Sequence, residues 1–111
     1  MYTEFTVGDH TYKLRLTMQG IVNLEKELGF TPLQVFMNID DNVLPKVSDL
    51  AVILRQMLQP YNHGINLNDT YDIVEKYVED GHTLWDLIPV LLEVFKDAGF
   101  LPKEEADDSK N

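Results

Sequence analysis

The sequence contains no cysteine. That excludes disulfides, thiolate metal sites and a cysteine nucleophile, and it fits a reducing compartment. Basic residues are scarce: 9 Lys and Arg stand against 19 Asp and Glu, for a formal net charge of −10. A globular chain of that sign is poorly suited to nucleic-acid phosphates or to anionic membranes. The acids are spread over every segment, whereas a mimic of nucleic acid concentrates them. No apolar run approaches the roughly 18 residues of a membrane-spanning helix. Met1-Tyr2-Thr3-Glu4 lacks the basic start and apolar core of a signal peptide. A glycine-rich phosphate loop, a nucleophile elbow and a His-Glu-x-x-His pair are also absent.

The remaining polar residues do not assemble into a catalytic pattern. The 3 histidines are isolated, with His10 and His63 in expected turns and His82 just past a helix end. Each reads as a solvated loop residue. Asp40-Asp41-Asn42 and Asn66-Leu67-Asn68-Asp69 carry hard oxygen donors, but neither has the central glycine and closing glutamate of a calcium loop. The acid pairs Glu79-Asp80 and Glu104-Glu105 are sequence neighbours, which point apart on a helix. The sequence therefore predicts no catalytic residue, no metal site and no cofactor.

What is present is a core of ordinary size: 44% of the 111 residues are hydrophobic, enough for one domain. Residues 2–7 and 11–16 alternate about Gly8-Asp9-His10 and predict a β-hairpin, with Tyr12, Leu14 and Leu16 on one face and Lys13 and Arg15 on the other. Alternation then passes into a helical stripe of Met18, Ile21, Val22, Leu24 and Leu28, with Thr17 as N-cap and Gly29 as terminator. Further helices are predicted at about 32–37, starting from Thr31-Pro32, and at 49–59, capped by Ser48. Two more are predicted at 69–80, capped by Asn68, and at 84–98, capped by Thr83 with Asp86 in a reciprocal box. The expected fold is mainly α (α+β): an N-terminal hairpin packed on a bundle of about five helices within residues 1–102. Residues 103–111 form a polar segment expected to be disordered.

Three features point to binding surfaces. Pro89 lies inside the last helix, where it lacks an amide proton and frees the Trp85 carbonyl. Val90 beside it is expected on the outward arc with Asp86, Glu93 and Asp97. Phe100 and Leu101 follow the Gly99 helix end; they either fold back in a Schellman-type contact or form an apolar tip. The hairpin edge, with Lys13 and Arg15 beside it, offers pairing to a partner strand or a second copy.

The run Tyr12-Lys13-Leu14-Arg15-Leu16-Thr17, the turn Leu24-Glu25-Lys26-Glu27-Leu28-Gly29 and Pro32-Leu33 resemble the tail assembly chaperones of long-tailed (siphovirus-type) phages and prophages, in their short form. The resemblance extends over the later apolar helices and brings no catalytic residues. It implies a non-enzymatic factor that binds the tape-measure protein, keeps it soluble, helps recruit tail tube subunits and leaves before the virion is finished. The implied partners are the tape-measure protein, the tail tube protein and a frameshifted longer form of the chain; neither nucleic acid nor membrane is expected. The implied location is the cytoplasm of the bacterial host during assembly. Ser109-Lys110-Asn111 fit codons that contain an A-rich slippery heptamer, as a frameshift there requires. The residues expected to touch a partner are Lys13, Arg15, Pro89, Val90, Phe100 and Leu101. The competing readings are a structural tail or head–tail component retained in the virion, and an acidic inhibitor that mimics nucleic acid.

Overall fold

A computed structural model describes residues 1–102. The chain opens with β1 (Thr3–Val7) and β2 (His10–Leu14), an antiparallel hairpin. The helices are α1 (Met18–Leu28), α2 (Val47–Leu58), α3 (Leu67–Glu79) and α4 (Leu84–Asp97), with short 3₁₀ helices at Pro32–Phe36 and Ile39–Asp41. The architecture is α+β, a two-stranded hairpin packed on helices, as the sequence predicts. The predicted disorder of 103–111 and the Ser109-Lys110-Asn111 signal lie outside the described residues.

The hairpin turns at Gly8-Asp9, with Val7 paired to His10. Gly8 has φ 61° while Asp9 is not among the positive-φ residues, the pattern of a II′ turn that fits twisted strands. His10 therefore belongs to β2 and not to the loop. Register pairs Phe5 with Tyr12 and Thr3 with Leu14 on the inner face, and Glu4 with Lys13 and Thr6 with Thr11 on the outer. The strands are shorter than predicted. Past Leu14, the Arg15 N–H donates to the Met57 carbonyl of α2 at 3.0 Å, which ties the chain to a helix instead of a strand.

The core joins Phe5, Val7, Leu14 and Leu16 to the inner faces of all four helices. Leu50, Ile53, Leu54, Met57 and Leu58 of α2 are all 1% exposed or less, so the predicted stripe is the centre of the molecule. In α1 the predicted stripe is corrected: Met18 is 62% exposed and Val22 40%, and buried Gly20 takes their place. A Cβ on Gly20 would stand 3.2 Å from Leu16 Cδ1 and 3.4 Å from Gln56 Cγ, so the missing side chain lets α1 approach α2. Val78 of α3 is likewise exposed, while Thr70 is buried with its hydroxyl donating to the Asn66 carbonyl at 2.9 Å.

Helix ends show where side chains overrode expectation. Thr17 caps α1, accepting from the Gly20 N–H at 3.0 Å. Thr83 and Asp86 form the expected box on α4, at 2.9 and 3.3 Å. On α3 the cap is Asn66, not Asn68: Asn66 exchanges bonds with Asp69 at 2.8 and 3.2 Å, because the acid lies three residues on from Asn66. Ser48 lies inside α2, which starts after Lys46 without a side-chain cap. Thr31 makes no cap bond either, and the segment after it is 3₁₀.

Candidate partner-binding surface

The outer face of the hairpin gathers aromatic rings around a lysine. Tyr2 precedes β1 and projects to the same side as Glu4 and Lys13 by strand alternation. Lys13 Nζ lies 4.9 Å from the Tyr2 ring centroid and 5.6 Å from that of Tyr61, and the two rings meet edge-on at 5.8 Å. Tyr61 is held in place by the end of α2, where the Tyr61 N–H and the Asn62 side-chain amide both donate to the Leu58 carbonyl. Such a cation–π contact contributes about 0.5–1 kcal/mol at an exposed site. Met1, at 79% exposed, and Met18 extend the apolar surface. Both line a 290 Å³ depression with Tyr2 and Arg15, and Val94 and Asp97 of α4 close its far side. The Thr3 hydroxyl donates to Asp97 at 3.2 Å and joins the strand to the helix end.

The six residues predicted to touch a partner fall on different surfaces. Lys13 is exposed on the hairpin's outer face, and Arg15 is exposed just past the end of β2. Pro89 is exposed, and α4 runs through it without a break. Trp85 lies one turn earlier, 41% exposed, so the carbonyl freed by the proline sits on the side of the helix that water reaches. Leu101 lines a shallow 460 Å³ pocket with Pro89, Leu92 and Pro102. Phe100 is half-buried: its N–H donates to the Phe95 carbonyl and the Gly99 N–H to that of Lys96, each at 3.0 Å. These are the two bonds of a Schellman motif, with Gly99 at φ 92°. Phe100 and Leu101 therefore fold back on the core and do not form a free tip. Val90 is corrected: it is half-buried and packs on the core, and Asp97 is half-buried too, so the outward arc is Trp85, Asp86, Pro89 and Glu93.

The histidines are better placed than the sequence indicated. His82 stacks on Tyr77, with centroids 4.2 Å apart and planes 5° from parallel, and its Nδ1 is 3.8 Å from Asp86. His10 packs on Tyr12 at 4.1 Å. Burial pushes the Tyr77 phenol above its usual pKa of 10.0, and the Asp86 carboxylate adds to the shift. Among the described residues no group of three or more His, Asp or Glu is placed to hold a metal ion. No helix there is long and apolar enough to cross a membrane.

Tyr2, Met18, Tyr61 and Trp85 were missed as surface residues by sequence reasoning. For Trp85 the signal was present, because position 85 lies one helical turn from Pro89 and shares its face. For Tyr61 there was none, since its meeting with Tyr2 depends on the packing of α2 against β2. No curated protein and no solved structure matches the chain. The match to the Family of unknown function (DUF6096) covers residues 3–111, and the chain belongs to that family.

Proposed function

We propose that the chain is a non-enzymatic assembly chaperone of phage tails, which binds the tape-measure protein, keeps it soluble and helps recruit tail tube subunits before leaving. The observation that carries this reading is the exposed cluster of Tyr2, Lys13 and Tyr61, with Met1 and Met18 beside Tyr2 at the open end of the hairpin, on a chain of net charge −10. It is an apolar contact area on an acidic body. A tape measure is a long helix-rich chain with adhesive apolar faces. An acidic protein with exposed apolar spots covers such faces while its own charge keeps the complexes apart.

The test is co-expression with the tape-measure protein encoded nearest downstream, followed by pull-down and size exclusion with light scattering. Co-elution of the two chains is the expected result. Recovery of this chain in purified virions by mass spectrometry would instead identify a structural component.

A further inference from the structure

We propose that the cleft between the hairpin turn and the end of α3 receives an arginine side chain from a basic segment of a partner protein. Glu4 and Phe5 of β1, Tyr77 and Asp80 at the end of α3, His82, and Val90 of α4 line a cleft of 490 Å³. A second depression of 740 Å³ continues from it, shares Gly8 and Asp80, and adds Asp9 and Asp72. Across both linings the carboxylates are Glu4, Asp9, Asp72 and Asp80, against Lys76 as the only lysine or arginine. The end of Lys76 lies beside Gly8 and its ammonium is 3.9 Å from Asp80, so it offsets one of the four charges and leaves the linings with an excess of carboxylates.

Charge is not the only feature that points to a ligand. Tyr77 is 5% exposed and lines the cleft, and among the described residues its hydroxyl has no hydrogen-bond partner. Its ring is fixed by His82 at 4.2 Å and by Phe5 at 5.0 Å, so the hydroxyl has little freedom to find a partner within the chain. The phenol is protonated at neutral pH and its oxygen carries lone pairs that can accept.

A guanidinium fits these groups. Its planar fork of N–H donors spans a carboxylate in two-point fashion and leaves another donor for the tyrosine oxygen. Its weakly hydrated faces tolerate apolar walls such as Phe5 and Val90, which a compact ammonium does not. Naming the tape-measure protein as the partner rests on the function proposed above; the chemistry of the cleft does not.

The test is fluorescence anisotropy of the full chain with a labelled alanine-based helical peptide carrying two arginines. Parallel titrations use the same peptide with citrulline or with lysine at those positions. Arginine is expected to bind best, lysine several-fold more weakly, and citrulline not at all. The double substitution Glu4→Gln with Asp80→Asn is expected to weaken arginine binding about tenfold. Tyr77→Phe should weaken it several-fold, and Glu27→Gln on α1 should leave it unchanged. Thermal melts confirm that each variant is folded. Equal binding of the citrulline peptide, an equal loss in Glu27→Gln, or no binding by the unaltered chain overturns the proposal. If the tape measure co-elutes with the unaltered chain but the arginine peptide does not bind it, the cleft assignment falls and the chaperone reading stands. If the arginine peptide binds but the tape measure does not, the cleft stands and the chaperone reading falls.

Discussion

On the side of the hairpin turned to the helices, Phe5, Val7 and Leu14 are at most 5% exposed, and each is in contact with the shared core. On the opposite side Glu4 faces Lys13 and Thr6 faces Thr11, and all four are exposed. One short hairpin therefore carries two separable roles. Its inner face is part of the hydrophobic core, where each buried side chain contributes about 1.5–3 kcal/mol. Its outer face contributes little to folding, because exposed charge pairs and cation–π contacts are each worth about 1 kcal/mol or less. A surface that folding does not need is open to a partner, and substitutions on the two faces should separate stability from binding.

The largest effect is expected inside. Leu14→Ala should cost about 2–5 kcal/mol of unfolding free energy, read by urea denaturation. Thr11→Ala, three residues away on the outer face, should stay within about 0.5 kcal/mol in the same assay. If both cost the same, the two faces are not distinct.

Next comes the turn that joins the faces. Gly8 has φ 61°, and a Cβ there would lie 3.3 Å from Lys76 Cε. Gly8→Ala should cost about 1–2 kcal/mol by the same denaturation, from left-handed strain and crowding together. Capping supplies a smaller contrast. Thr83→Ala removes a reciprocal box and should cost about 1 kcal/mol, whereas Thr31→Ala removes no bond and should cost almost nothing.

These contrasts follow what was legible in the sequence. Period-two and helical stripes located the hairpin, α2 and α4 closely, because burial of one face is written in residue order. Thr17 and Thr83 were legible as caps because the partner lies three residues away in sequence. Asn68 is not the cap of α3, because the acid that completes a box, Asp69, lies three residues on from Asn66. The exposure of Met18 and Val22 was not legible: Gly20, with no side chain, marks the contact line of α1, and a hydrophobicity pattern does not count glycine as buried. The candidate surface was half legible. Lys13 and Arg15 follow from alternation, but Tyr2 meets Tyr61 across 59 positions through tertiary packing alone.

The core against which the inner face packs also has a pH signature, at Tyr77 of α3. Tyr77 has its pKa raised in the folded chain above the usual 10.0, by burial and then by Asp86. The folded state thus favours the neutral phenol, so this contribution is complete below pH 10.0 and is lost as pH rises through the higher folded pKa. Alkaline unfolding followed by circular dichroism should begin at higher pH in Tyr77→Phe than in the unaltered chain. An unchanged midpoint would remove Tyr77 from the account.

Lys13→Ala, like Thr11→Ala, should stay within about 0.5 kcal/mol, read by thermal melt. Its consequence should be in partner capture, since it leaves Tyr2 and Tyr61 without the charge between them.

The most direct measurement is the soluble fraction of the tape-measure protein when it is co-expressed with the unaltered chain, with a Tyr2→Ser, Lys13→Ala variant, and with neither. The expected result is a soluble, co-eluting tape measure with the unaltered chain and an insoluble one with the variant, although the variant itself stays folded and soluble. A tape measure that is equally soluble in all three, or insoluble in all three, would contradict the claim that the outer face of this hairpin holds it in solution.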